Sequence, residues 1–141
     1  MVLRDVEDGD VTVFFEHQRD PLAVGMAGLP ARELAEHLAN WRRILADPTV
    51  RTRTVVADGG IAGNVLSFVA DGRRMAGYWL GREWWGRGIA TAALESYLRI
   101  ELSRPLYARV EKRNGASLRV LEKCGFVPDG EAGDALSLVL R

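Results

Sequence analysis

The stretch Tyr78-Trp79-Leu80-Gly81-Arg82-Glu83-Trp84-Trp85-Gly86-Arg87-Gly88-Ile89-Ala90-Thr91-Ala92-Ala93-Leu94 most restricts what this chain can become. An aromatic run ends in glycine, a bulky basic turn follows, and Gly86 and Gly88 open an alanine-rich helical pattern. That order reads as strand, glycine-containing turn and helix N-terminus. Such a junction leaves backbone N–H groups unpaired and adds the positive end of the helix dipole, which together favour phosphate. The first expectation is therefore a phosphorylated ligand at this turn.

A chain of 141 residues fits one domain, here 1–141, and is long enough to bury a sizeable core. Lys+Arg and Asp+Glu balance at 19 each, so no global field draws in nucleic acid or acidic membrane. One cysteine, Cys124, excludes an intramolecular disulfide, and with two histidines it is too little for a histidine/cysteine zinc site, so no metal is expected. No apolar run approaches the roughly 18 residues of a membrane span. Met1-Val2-Leu3-Arg4-Asp5 lacks a signal-peptide layout, and a cytoplasmic setting is the default expectation.

Val2 to Asp5 reads as a short first strand, and Val11, Phe14 and Phe15 as the inner side of a short helix. His17, in a charged neighbourhood, is expected at the surface or on the helix flank. Asp20 to Pro30 reads as loop, punctuated by proline and glycine at both ends. From Ala31 to Ala46, Leu34, Leu38, Trp41 and Leu45 recur at helical spacing and define one face, with His37 bordering it. Asp47-Pro48 closes that helix.

Arg53 to Ala57 and Ile61 to Val69 are β-branched-rich runs joined by Asp58-Gly59-Gly60, a hairpin signal. A second turn, Asp71-Gly72-Arg73-Arg74, leads into Met75 to Leu80, giving three antiparallel strands in a row. The next helix is expected from about Gly88 to Leu102, with Glu95 and Arg99 as an exposed i,i+4 pair. Leu106 to Glu111 alternates as a half-buried strand. Asn114 then caps a helix from Gly115 to Cys124 that Gly125 stops. Phe126-Val127 and Ala135 to Leu140 are two closing strands around a turn at Pro128-Asp129-Gly130. The class is α+β.

Several phosphate-binding turns are excluded. No lysine followed by serine or threonine stands after the glycines, so this is not a Walker loop. The dinucleotide fingerprint fails as well, because its third small residue is missing and the preceding strand follows a hairpin. More informative is the succession of antiparallel strands, this turn, one helix, a strand, and then Asn114-x-x-Ser117 on a second helix.

Over about Gly60 to Phe126, that succession resembles the GNAT superfamily of acyl-CoA-dependent N-acyltransferases. The family signature is Arg/Gln-x-x-Gly-x-Gly/Ala, whose glycines let backbone amides cup the coenzyme A pyrophosphate. Here it reads Trp85-Gly86-Arg87-Gly88-Ile89-Ala90: Gly88 and Ala90 match, and Trp85 replaces the leading Arg/Gln. The Trp-Gly-Arg-Gly turn and Asn114 through Phe126 look most like the branch containing ribosomal-protein N-terminal acetyltransferases and many small-molecule relatives. The resemblance implies a mixed, mostly antiparallel sheet of six to seven strands flanked by about four helices, with a splayed strand pair holding coenzyme A.

It further implies that Trp79, Leu80, Trp85, Gly86, Arg87, Gly88, Ile89, Ala90, Thr91, Asn114 and Ser117 hold acetyl-CoA, a cosubstrate used without metal. The oxyanion would meet a backbone N–H at Trp79-Leu80. Many relatives protonate the leaving thiolate with a tyrosine seven residues after the asparagine, but Leu121 stands there, which leaves Ser117 as the candidate acid. Glu111 is favoured over Glu83 as the base. Arg82, Arg87, Arg113 and Arg119 are either solvated or paired with phosphates, Arg87 foremost because it lies in the loop. Trp79, Trp84 and Trp85 are packing residues that also wall a pocket, and Cys124 is a small buried hydrophobe rather than a nucleophile.

The implied reaction is attack of a primary amine, on a peptide N-terminus or a small molecule, at the acetyl-CoA thioester. The competing reading is a non-catalytic acyl-CoA-binding or sensor module. Acceptor choice is expected in the loops near Asp20 to Pro30 and Asp71 to Arg74. Either a monomer or a homodimer is compatible with the sequence.

Overall fold

The computed structural model describes residues 1–23 and 30–141. Two Asp-Gly turns organise its centre. Asp58 and Gly59 (φ 49° and 75°) and Asp71 and Gly72 (φ 51° and 74°) all lie in the left-handed region that a two-residue hairpin of matching twist requires. They join β2 (Arg51–Ala57), β3 (Gly60–Ala70) and β4 (Arg73–Leu80) into the expected antiparallel run. β1 (Val2–Arg4) pairs with β2 at one edge.

Beyond β4 lie β5 (Leu106–Glu111), β6 (Val127–Ala132) and β7 (Ala135–Leu140), giving one seven-stranded sheet of order β1-β2-β3-β4-β5-β7-β6. Every neighbouring pair is antiparallel except β4 and β5. The α+β class is the one read from the sequence, and the mixed, mostly antiparallel sheet is the one the family resemblance implied.

Helices cover both faces. On one side α1 (Asp8–Arg19) and α2 (Leu34–Ala46) bury Val11, Phe14 and Trp41 against Val6, Ile44 and Ile61. On the other, α3 (Ile89–Tyr97) and α4 (Gly115–Lys123) cover a larger core containing Val55, Val65, Leu94, Tyr97, Leu106, Phe126 and Leu138. Among the described residues, no helix is long and apolar enough to cross a membrane.

Four sequence expectations need correction. In α2 the buried residues are His37 and Trp41, whereas Leu34, Leu38 and Leu45 are exposed. The inward stripe is turned toward His37, whose Nε2 meets the Val11 carbonyl oxygen at 2.8 Å, so a polar anchor overrides the leucine periodicity. α3 ends at Tyr97 rather than near Leu102, which places Arg99 beyond the helix and removes the Glu95–Arg99 pairing geometry.

The closing turn is Gly133-Asp134; Pro128 and Gly130 flank a register shift inside β6, an edge strand where proline is tolerated. Finally, residues 21–23 are helical rather than loop. Asp20 Oδ1 accepts the Leu22 N–H at 2.9 Å, and Pro21 begins the turn, the usual division of labour at a helix start. The rest of that expected loop, residues 24–29, lies outside the described residues.

The early end of α3 has a polar cause. The Glu101 carboxylate, 1% exposed, accepts from Ser67 Oγ on β3, from Arg51 Nη1 on β2 at 2.6 Å and from the Ser103 N–H at 3.0 Å. Burial alone would raise its pKa, but these donors outweigh it and hold the carboxyl at about 2. Because the folded pKa lies below the ordinary 4.5, the stabilisation is present at neutral pH and lost as pH falls from about 4.5 toward 2. Glu101→Gln should cost about 2–3 kcal/mol at pH 7 and flatten the acid limb of stability between those values. Urea melts of both proteins across that window check it.

Candidate active site

β4 and β5 pair through only two registers, Met75↔Tyr107 and Ala76↔Ala108. Past them the strands separate, as the family resemblance implied, and a cleft of about 460 Å³ opens between their C-terminal ends. The hydrogen-bond phase of β4 sets what its open edge offers. The Gly81 N–H bonds the Ala62 carbonyl of β3 at 2.9 Å, so by strand alternation the N–H groups of Leu80 and Tyr78 point the other way, toward the gap. Of the two residues expected to supply an oxyanion donor, Leu80 has the correct phase and Trp79 does not.

The loop after β4 is a 3-10 turn, Arg82–Trp84, followed by Trp85 to Gly88. Gly86 and Gly88 take φ of 74° and 75°, and a Cβ on either would meet no protein atom within 4 Å. Positive φ and open space are the conditions for a backbone cradle. Gly88 is the N-cap of α3 and has no side chain to satisfy the first turn. The first intrahelical bond is Ala92 N–H to the Gly88 carbonyl at 3.1 Å, which leaves the amides of Ile89, Ala90 and Thr91 free. This end of the helix fits a diphosphate.

Trp85 does something the family signature does not suggest. Its indole N–H donates to the Leu80 carbonyl at 3.0 Å and ties the loop back onto β4. Arg87, favoured as a phosphate partner, does not line the cleft; its guanidinium sits 5.3 Å over the Trp84 ring and 3.8 Å from Asp58. The cations that do line it are Arg109, Arg119 and Lys123. Of these, Arg119 is a phosphate-pairing candidate of the sequence, while Arg109 and Lys123 carry no local motif and reach the cleft through the placement of β5 and α4.

The opposite lip is α4. Asn114 Oδ1 accepts the Ser117 N–H at 3.2 Å, the expected N-cap, and the Asn114 N–H bonds the Glu111 carbonyl at 2.9 Å. Asn114 and Ser117 are thereby fixed to the end of β5, and both line the cleft. Glu111, 9% exposed, also lines it and lies 3.3 Å from Arg109, whereas Glu83 is exposed in the 3-10 turn and outside the lining.

Two residues escaped the sequence reading. Tyr78 lines the cleft from β4, and its hydroxyl lies 2.8 Å from Ser117 Oγ. Burial raises its pKa, so it stays a phenol. His17, expected at the surface or on the helix flank, is 8% exposed beneath Gly81, where a glycine Cβ would come within 2.5 Å of its ring. Its spacing of three from Phe14 turns it to the buried face, and burial lowers its pKa. Phe14 and Phe15 carried a signal for this that the neighbouring charges masked.

Cys124 is partly buried and its thiol is pushed up to about 11, mainly by burial, in keeping with an unreactive packing role. The Asp71–Arg74 turn, expected to help choose the acceptor, caps the other end of β4, about 13 Å of strand from Tyr78 at the edge of the cleft.

Comparison with known proteins agrees with this geometry. The model of the acetyltransferase (GNAT) domain matches residues 1–127, and the chain belongs to that family. Over 107 residues it is 32% identical to YdaF of Bacillus subtilis strain 168, a protein provisionally named as a ribosomal N-acetyltransferase. That match spans 70% of this chain and 58% of YdaF.

Among solved structures, spermidine N-acetyltransferase from Vibrio cholerae, in complex with CoA and spermine, superposes with a TM-score of 0.84 at 18% identity, covering 99% of this chain and 94% of that one. The aminoglycoside acetyltransferase AAC(6')-Ib in complex with coenzyme A gives 0.83 at 18% identity, with 99% and 93% covered. These two likenesses establish the fold.

Replacing Asn114 by Ala removes the α4 cap and should cost about 1 kcal/mol, read as a lower midpoint in chemical denaturation.

Proposed function

We propose that this chain is an N-acetyltransferase that moves an acetyl group from acetyl-CoA to a primary amine by direct attack. The observation that carries the proposal is the convergence on one cleft of a left-handed glycine loop, three free helix-start amides and a hydroxyl-bearing second helix. In this reading the amides of Ile89, Ala90 and Thr91, with the peptides around Gly86 and Gly88, hold the pyrophosphate. Arg119 and Lys123 add positive charge to the phosphate end, and Asn114 orients the pantetheine arm. Trp79, Trp84 and Trp85 form an apolar wall beside it.

For the chemistry, the Leu80 N–H donates to the oxygen that gains charge as the amine attacks. Glu111, directly or through water, takes the amine proton, and Arg109, 3.3 Å away, orients its carboxylate. Ser117 donates to the sulfur as it leaves. Similarity to a protein provisionally named as a ribosomal N-acetyltransferase, and in fold to spermidine and aminoglycoside acetyltransferases, makes a peptide N-terminus or a small polyamine the acceptors to try. A second reading, an acyl-CoA-binding module without turnover, rests on Leu121 standing where many relatives carry tyrosine.

Thiol release from acetyl-CoA, measured against a panel of peptides and amines, separates the two, since a binding module releases none. Gly88→Trp should abolish coenzyme A binding in calorimetry while the fold persists, because the new side chain enters open space at a strain cost of about 1–2 kcal/mol. Normal binding by that variant would remove the loop assignment. Ser117→Ala should lower kcat roughly tenfold or more with little change in acetyl-CoA affinity; an unchanged kcat would exclude Ser117 as the proton donor.

A further inference from the structure

We propose that Tyr78 and Ser117 act as one two-hydroxyl relay, in which the Tyr78 phenol donates to Ser117 Oγ and Ser117 Oγ–H donates to the departing sulfur. The inference rests on the acetyl-CoA reading above and deepens it. The two oxygens are 2.8 Å apart across the cleft, one on β4 and one on the first turn of α4. Their sequence separation of 39 residues makes the contact purely tertiary.

The direction of the bond follows from acidity. A phenol ionises near pH 10 and an aliphatic hydroxyl far above it, so the phenol is the better donor and the serine oxygen the better acceptor. Ser117 Oγ has Tyr78 as its hydrogen-bond partner, which leaves its own proton free to point into the cleft. The groups around the phenol are poor rivals for its proton. Cys124 nearby is a thiol pushed up to about 11, and Ser117 is the side chain its hydroxyl meets.

A serine alone is a weak acid for this step. A thiolate with a pKa near 8.5 would have to take a proton from a group several units less acidic, whereas a phenol, even one pushed up by burial as Tyr78 is, stands closer to the thiol than an aliphatic hydroxyl does. In the relay the C–S bond breaks and its electron pair stays on sulfur. The Ser117 proton moves to sulfur, and the Tyr78 proton moves to Ser117 Oγ. The resulting phenolate recovers a proton from water or from the acid form of the base, so no proton is gained or lost by the protein over a turnover. Tyr78 thus acts through Ser117 as a positioning residue. It restores, from the facing strand, the phenol that Leu121 does not provide on α4.

The test uses Tyr78→Phe, Ser117→Ala and the double variant, with acetyl-CoA and either spermidine or a short peptide with a free N-terminus as probes. Tyr78→Phe should lower kcat about tenfold with acetyl-CoA KM within twofold, and the double variant should be no slower than Ser117→Ala alone. Effects that multiply would mean the hydroxyls work independently and would overturn the relay, as would a Tyr78→Phe enzyme with wild-type kcat.

A readout independent of acceptor is the ultraviolet titration of bound coenzyme A. Hydrogen bonds to a thiolate favour it, so the wild-type protein should bind the thiol with a lowered pKa, and Tyr78→Phe should reduce the thiolate fraction at a given pH roughly tenfold. Identical titrations of the two proteins would overturn the relay while leaving the acetyl-CoA reading in place. Failure of the wild-type protein to bind coenzyme A at all would instead sink that underlying reading.

Discussion

Parallel pairing between β4 and β5 stops after Ala76 and Ala108, and most of what the cleft offers depends on that divergence. A paired strand has no free donors, whereas a strand separated from its neighbour at one end keeps an ordered row of them. The separation needs support on both sides. α3 packs Ala93, Leu94 and Tyr97 onto the sheet at one lip, and α4 seats Leu121 at the other. Both helix starts face the same opening, Gly88, Ile89 and Ala90 lining it from one and Asn114, Ala116 and Ser117 from the other.

Buried carboxylates fix the elements around this wedge. Asp10, 2% exposed, accepts from Arg4 through both oxygens at 2.7 and 2.9 Å, from Thr54 Oγ1 at 2.7 Å and from the Glu7 N–H at 2.9 Å. One side chain thereby joins β1, the start of α1 and β2. Glu101 does the same for β2, β3 and the end of α3. Such groups add little net stability over an apolar filling, but removing one partner strands a buried charge, so they specify which elements meet.

Features carried by local chemistry were legible in the sequence. The Asp58-Gly59 and Asp71-Gly72 turns follow from backbone sterics, and the α4 boundaries follow from Asn114 and Gly125. The glycine loop was legible for the same reason. What escaped was set by tertiary packing. Leu34, Leu38 and Leu45 repeat at helical spacing, yet a bond from His37 to the Val11 carbonyl turns them outward. Pro128 looked like a turn because nothing local marks β6 as an edge strand. The approach of Tyr78 to Ser117 is a property of two strands and a helix together, and the approach of Arg87 to Asp58 likewise depends on where the β2–β3 hairpin lies.

Trp85 stands at the leading position of the Arg/Gln-x-x-Gly-x-Gly/Ala pattern that this turn resembles, and its bond to the Leu80 carbonyl bears on more than loop position. The open edge of β4 would otherwise show that carbonyl beside the Leu80 N–H, an acceptor next to a donor. A developing anion would then meet a repelling dipole close to an attracting one. With the carbonyl engaged by the indole, that position faces the gap chiefly as a donor. The tryptophan therefore sets the electrical polarity of the strand edge, a task with no need for a charge and one that an arginine reaching for phosphate would not perform.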